Sequence, residues 1–454
     1  MKVNVAGAGA GKTTKMAKLI TELEIPEGKV VFCIAFTNAA ATNITEKVEK
    51  MLGVIPNNIR ISTIHSFLYQ ELVYPYFFAI YKKHYERLSV IDLPPKPEYK
   101  RAKLSELEAD NVLHFTMIPE RAKWVVYQKS SDRKAEKEIR KKLLARFSDY
   151  CAAIFVDEAQ DISQDVKIIL EALEQSGVQI ILYGDPKQDV KGLGMFREII
   201  ENTSSVNYIP ECHRCPQKHL NLSNTLAPEA EKQHADEGNA DGSINVVFES
   251  DVEDIYQFIE EGNYGLQYIS MKRDRFATHE KRESGDRFET LRHEVHRAIC
   301  DKWTGIKSEL EINRAAFYLT EQMLAASDSG IAEPAIIAQW VNNGMFDCLT
   351  GKRYKQMESA IKAIDPVTPD IPVVSSIEII KGHEAERCFF ILSPDLAPYL
   401  FRQKTEDNKT SHLLYVALTR SLDHMTIMIM REVEEIYTKD GILCFFQSVL
   451  QKQG

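Results

Sequence analysis

Short, mostly apolar runs recur along the chain: VVFCIAF at 30–36, CAAIFV at 151–156, VQIILY at 178–183 and YGLQYI at 264–269. They are too short for independent helices and lack the polar alternation of a half-exposed strand, so they read as strands buried on both faces of a parallel sheet. VNV at 3–5 supplies a shorter strand before a glycine-rich turn. Between the runs lie helix-like stretches: KTTKMAKLITEL at 12–23, the basic RKAEKEIRKKLLAR at 133–146, and much of 292–326. This order predicts an α/β protein. No apolar run reaches the length of a membrane span and no charged-then-apolar leader precedes the first strand, so a cytoplasmic chain without a membrane partner is expected.

The turn after VNV reads AGAGAGKTT, residues 6–14. A strand, a glycine turn, then Lys and a hydroxyl residue at a helix start form a phosphate cradle, with backbone N–H groups turned inward. Ala6, Gly7, Ala8, Gly9, Ala10 and Gly11 would form the turn. Lys12 would meet the β- and γ-phosphates of ATP, Thr13 would ligate Mg²⁺, and Thr14 continues the helix head. Ala6 stands where the general pattern has its first glycine. The second half of such a site is a strand ending in acids, and CAAIFVDEAQD provides it. Asp157 would hold the Mg²⁺ shell with Thr13, and Glu158 would orient and deprotonate the attacking water.

Further stretches follow in order: AFTNAAA at 35–41, STIHSF at 62–67, DEAQD at 157–161, GDPKQ at 184–188, CHRC at 212–215, SIEIIKGHE at 376–384 and LLYVALTRS at 413–421. Together with the loop they resemble the superfamily 1 helicases of the UvrD/Rep/PcrA type, whose loop commonly reads AGAGSGKT with alanine first. The resemblance implies two RecA-like parallel-sheet P-loop domains with small helical insertions. The parts would be 1–66 and 150–210 for the first domain around an insertion at 67–149, then 211–271 and 371–454 for the second around a reduced insertion at 272–370. It also implies Gln188 as a γ-phosphate sensor, Arg214 and Arg420 as catalytic arginines from the second domain, and Lys381, Gly382, Glu384 and Tyr415 completing the ATP cleft. Single-stranded or tailed duplex DNA would be held by Phe36, Thr37, Asn38, Thr63, His65 and Ser376. Phe36 can stack on a base or can simply end a core strand.

The chain also departs from that pattern. The family's adenine-reading glutamine segment has no counterpart in the five residues before the loop, which leaves the base open. Lys191 and Leu193 replace rings that sandwich DNA bases, and Phe196 is a candidate substitute; Ala39 replaces a motif lysine and Glu378 a histidine. A net charge of −10 excludes binding nucleic acid by bulk attraction, so any positive surface must be local, and the basic helix is either that surface or a solvated face. The eight cysteines sit mostly in apolar runs, as buried thiols do. Cys212, Cys215 and His219 have the spacing of half a zinc site, without a second pair. The stretch APEAEKQHADEGNADG at 227–242 reads as an exposed acidic loop. The reading is an ATP-dependent DNA translocase or helicase, moving 3′ to 5′ by resemblance. Its rival is a nucleotide- and DNA-sensing ATPase subunit that gates a partner nuclease, as in Gabija-type anti-phage systems, with little unwinding of its own.

Overall fold

The computed structural model describes residues 1–94, 96–127, 129–271, 275–278, 283–303, 309–347, 349, 351–362 and 373–450. It divides into two compact units, Met1–Asp254 with Phe258–Ser270 and Ile377–Gly454, and Ile255–Gln257 with Met271–Ser376.

In the first unit, β1 (Lys2–Ala6), β2 (Val30–Ala35), β3 (Ile59–Thr63), β4 (Cys151–Val156), β5 (Gln179–Gly184) and β6 (Val206–Ile209) form one sheet in the order β3-β2-β4-β5-β1-β6. All its pairs are parallel. Every residue of β2 is buried, because alternate side chains enter different cores. Phe32 and Ile34 join Phe67, Phe147 and Ile154 on one side, while Val31, Cys33 and Ala35 join Met16, Ile44 and Phe155 on the other. A strand with a core on each face has no polar side to show, which explains the unbroken apolar run of β2.

Register sets the site. Val5 of β1 pairs with Gly184 of β5, and Ile34 of β2 pairs with Val156 of β4. The carboxyl ends of these strands therefore lie along one edge, where ligands of open parallel sheets bind. Helices α1 (Lys12–Glu22) and α2 (Asn38–Leu52) start from that edge. The residues between β3 and β4 add helices to the same core through Phe77, Ile80, Val125 and Phe147. Among them α3 (Lys134–Tyr150) is the basic helix. Arg140 is buried, paired with Asp132 at 2.7 Å and donating to the Trp124 carbonyl at 3.1 Å, whereas Lys137, Lys141, Lys142 and Arg146 face solvent.

A second sheet in this unit runs β7 (Ser243–Phe248), β10 (Ser421–Ile429), β9 (Ala385–Leu392), β8 (Leu266–Ile269), again parallel throughout. Helix α4 (Lys409–Leu418) leads directly into β10. The fold is thus α/β with two RecA-like parallel sheets.

The other unit is mostly helical. Glu283–Trp303, Glu309–Asp328, Glu333–Asn342 and Gly351–Lys362 share a core of Leu291, Val295, Ile299, Ile336, Phe346 and Ile361. Of the insertion expected at 272–370, residues 272–274, 279–282, 304–308, 348, 350 and 363–370 lie outside the described residues, Cys348 among them. Among the described residues no helix is long and apolar enough to cross a membrane. No disulfide joins the described cysteines; Cys33, Cys151, Cys212, Cys215 and Cys388 are buried and Cys444 is exposed.

Candidate nucleotide site

β1 runs straight into the glycine turn. Gly9 and Gly11 take φ values of +71° and +72°, a conformation that costs glycine nothing and side-chain-bearing residues much more. Gly11 caps α1, and Ala6, Ala8 and Ala10 are buried beneath the turn. Lys12 is also buried, and its ammonium donates back to the carbonyls of Ala6 at 3.4 Å and Gly7 at 3.3 Å. The Thr13 hydroxyl donates to Asp157 Oδ2 at 2.7 Å, which joins the loop to the end of β4. Thr14 is exposed.

Asp157 is 2% exposed, and burial, then repulsion from Glu158, push its carboxyl up to about 6. Glu158 sits at φ +54°, in the left-handed region that side-chain-bearing residues rarely enter. Burial opposes its ionisation, but Lys12 and Lys381 outweigh it and hold the Glu158 carboxyl below its ordinary value. Glu158 is thus held in the charged form that a proton acceptor needs, with its basicity reduced by the same lysines.

The next acid turn is tied to this one by Gln160, fully buried, whose Nε2 donates to Glu158 and whose Oε1 accepts the Asp185 N–H at 3.0 Å. Gln188 donates to Asp185 Oδ2 at 2.9 Å. Lys187 pairs with Asp185 at 3.0 Å and with Glu231 at 3.1 Å. Although Asp185 is buried, Lys187, Lys12 and the Gln188 hydrogen bond keep it ionised, its carboxyl below the usual range.

Groups from outside the first sheet close the opposite side. Arg214 pairs with Glu384 at 2.5 Å. Arg420, only 1% exposed, donates to the carbonyls of Val416 at 3.0 Å and His383 at 3.4 Å and to Thr419 Oγ1 at 3.0 Å. Burial and then the neighbouring Arg214 charge lower its pKa. Lys381 reaches across to Asp161 at 3.0 Å. Gly382 stands at φ +90° in an exposed turn beside it. The Tyr415 hydroxyl accepts the Ala8 N–H at 3.2 Å, so α4 touches the glycine turn directly.

Five of the DNA candidates, Phe36, Thr37, Asn38, Thr63 and His65, lie at the carboxyl ends of β2 and β3. Phe36 follows β2 and is half-buried against the core, while Thr37 and Asn38 are exposed, Thr37 capping α2 by accepting the Ala40 N–H at 3.1 Å. Thr63 ends β3 and accepts the Ser66 N–H at 3.3 Å. Burial, then Lys191, holds His65 below the usual histidine pKa. Ser376 is buried at the end of the strand Val373–Ser376, in the other compact unit.

Two sequence expectations are corrected, on Phe196 and on the 227–242 stretch. Phe196 is not a stacking ring: it is 2% exposed and packs so closely on Gly184 that a Cβ there would stand 2.8 Å from it. The Cys212, Cys215 and His219 spacing makes ordinary contacts: Cys212 Sγ lies 3.1 Å from the Ala8 carbonyl and accepts the Cys215 N–H at 3.3 Å, Cys215 Sγ lies 3.6 Å from the Thr419 carbonyl, and His219 Nε2 contacts the Ser243 carbonyl at 3.1 Å. Among the described residues no three His, Cys, Asp or Glu converge to hold a metal ion. The 227–242 stretch is not all exposed loop, for Glu231 and Gln233 are buried at 7% and 4% exposure. Gln233 donates to the Ala8 carbonyl at 3.1 Å and accepts the Tyr415 hydroxyl at 2.9 Å. Sequence reasoning missed it, along with Gln160, Asp185 and Lys187. The last three stand inside motifs already singled out; Gln233 carries no local signal.

Residues 1–192, less than half of the chain, match the family described as the AAA domain. No curated protein matches in sequence. Among solved structures the chain is similar to the helicase nonstructural protein 10 of an arterivirus, solved in complex with DNA, at 13% identity and a TM-score of 0.37. The likeness covers 94% of this chain, which spans 60% of the length of that one.

Proposed function

We propose that this chain is an ATP-dependent single-stranded DNA translocase or helicase of UvrD type, hydrolysing ATP with Mg²⁺ between its two parallel sheets and moving 3′ to 5′ in DNA repair or anti-phage defence. The observation that carries the reading is the 2.7 Å hydrogen bond between Thr13 and Asp157, which brings the hydroxyl of the glycine turn and a buried carboxylate to one point. One hydroxyl and one carboxylate, with phosphate and water oxygens, suit Mg²⁺ better than an all-protein cage does. The raised Asp157 pKa fits as well, since a carboxylate that burial makes costly to ionise gains most from a neighbouring cation. Bound there, Mg²⁺ would offset charge on the phosphates.

The chain's own residues divide the rest of the work. Gly9 and Gly11 let the turn approach phosphate oxygens, and Lys12 gives up its hold on the Ala6 and Gly7 carbonyls to meet the β- and γ-phosphates. Glu158 orients the attacking water and takes its proton. Gln188, fixed on Asp185, senses the γ-phosphate. Arg214 and Arg420 neutralise charge in the transition state, a role worth about 10³ to 10⁵ in rate where such arginines act. Because Arg214 and Arg420 both stand outside the first sheet, Arg420 just before β10 of the second, nucleotide draws the parts around the cleft together and hydrolysis lets them part.

One observation favours the gating reading, in which unwinding is weak. Lys191 is 58% exposed, pairs with Asp161 at 3.4 Å and offers no ring for DNA, and Phe196 cannot supply one. The deciding experiment measures ATP hydrolysis and strand separation side by side, with and without tailed DNA. Stimulation with separation supports the helicase; stimulation without it supports a translocase or gate. Hydrolysis indifferent to single-stranded DNA at low salt removes the DNA motor.

A further inference from the structure

Four groups from outside the first sheet hold the middle of the glycine turn. Tyr415 Oη accepts the Ala8 N–H at 3.2 Å; Gln233 Nε2 donates to the Ala8 carbonyl at 3.1 Å, and the Cys212 thiol lies 3.1 Å from the same oxygen; the His213 N–H donates to the Gly9 carbonyl at 2.9 Å. Both polar groups of the Ala8 peptide environment are therefore engaged. Tyr415 and Gln233 are also joined to each other, the hydroxyl donating to Gln233 Oε1 at 2.9 Å. Neither is free to drift. Tyr415 is 1% exposed on α4, and Asn224 grips the Gln233 backbone on both sides, accepting its N–H at 2.8 Å and donating to its carbonyl at 2.7 Å. The fit depends on Gly7, where a Cβ would stand 2.0 Å from Gln233 Oε1.

A phosphate cradle works by turning its N–H groups onto phosphate oxygens, so a hydroxyl that takes one of those donors competes with the phosphate. We infer that Tyr415 and Gln233 form a latch on Ala8 that sets nucleotide affinity: a phosphate gains the Ala8 N–H only as Tyr415 gives it up, and with it the Gln233 contact. The inference rests on reading residues 6–14 as the phosphate cradle. It assigns Gln233 a positioning role, acting through Ala8 and Tyr415, and makes the latch a link between phosphate occupancy and the second sheet.

The test is equilibrium binding of fluorescently labelled ADP with Mg²⁺ to the full chain and to Tyr415→Phe, Gln233→Ala and Gly7→Ala. The first removes the competing acceptor. The second removes the grip on the carbonyl. The third leaves both side chains but displaces Gln233 from the opposite partner; Gly7 has no left-handed φ, so its backbone accepts alanine. Each variant should bind more tightly by about two- to tenfold, the factor one net hydrogen bond contributes. Tyr415→Phe combined with Gln233→Ala should add less than the product of the singles, because the two act as a unit. Asn224→Ala should shift affinity the same way, more weakly. Affinity unchanged or weakened in variants that melt like the parent overturns the latch. If the parent itself binds no labelled ADP, the nucleotide reading fails and the latch with it; if the parent binds, Lys12→Ala abolishes binding and Tyr415→Phe binds no tighter, only the latch is lost.

Discussion

Replacing Glu158 by glutamine exchanges one carboxylate oxygen for an amide and keeps the side-chain length. Gln160 Nε2 still finds an oxygen to donate to, and Gln160 Oε1 keeps the Asp185 N–H at 3.0 Å, so the two acid turns stay joined. What leaves is one negative charge from a group of three carboxylates. That charge is the second cause of the raised Asp157 pKa, so Asp157 ionises more readily in the variant. Lys12 and Lys381, which hold the glutamate charged, lose one of the carboxylates they face. Every change except one therefore favours an incoming polyanion with its cation. The exception is the proton acceptor. A side chain that moves a proton in the transition state contributes about 10² to 10⁴ in rate, and turnover should fall by that factor. Nucleotide affinity should hold or tighten. Phosphate release measured in single and multiple turnovers, beside equilibrium binding of ATP and ADP, separates the two effects. Turnover within tenfold of the parent would refute the role given to Glu158.

Lys187→Met leaves the fully buried Asp185 without its ion pair, and breaking a buried pair of this kind costs about 3–5 kcal/mol, seen as a lower denaturant midpoint; an unchanged midpoint would show that the pair contributes nothing net. His412 hydrogen-bonds Asp407 at 2.5 Å and the Asp189 carbonyl at 2.9 Å; burial opposes its charge, but these bonds outweigh it and raise its pKa above 6.5. The stabilisation is fully present below the unfolded value and is lost as pH rises through the raised folded one, so above about pH 6.5 the parent should lose stability with rising pH more than His412→Gln does in parallel unfolding curves. Lys137→Glu with Lys141→Glu should weaken single-stranded DNA binding and reduce the salt slope by about two, one for each of the two lysines replaced; an unaltered slope makes α3 a solvated face.

Much of this architecture is written locally. β2 and β4 are readable because a strand with a core on each face must be apolar throughout, β5 because it is apolar past its exposed Gln179, and the glycine turn because Gly9 and Gly11 meet a backbone demand that few residues satisfy. The burial of Arg140 is less legible. Its neighbours on α3 are exposed bases, and only the distant Asp132, Tyr81 and Trp124 turn it inward. Phe196 reads equally well as a stacking ring or a core residue until Gly184 is seen beneath it. Gln233 is hidden for a similar reason: its stretch is acidic and polar, yet alternate residues turn inward as the chain enters the short strand His234–Ala235. Residues that act through partners two hundred positions away leave no periodicity to read.

The close approach of Gln233 to Gly7 bears on how such chains can diverge. A side chain at position 7 and a long one at position 233 cannot occupy the same space, so the two positions constrain each other across the fold. Any relative that keeps this packing and gains a methyl group at the position of Gly7 should carry a shorter residue opposite it. Paired changes at these two columns, each neutral only in the company of the other, would be the historical imprint of the contact.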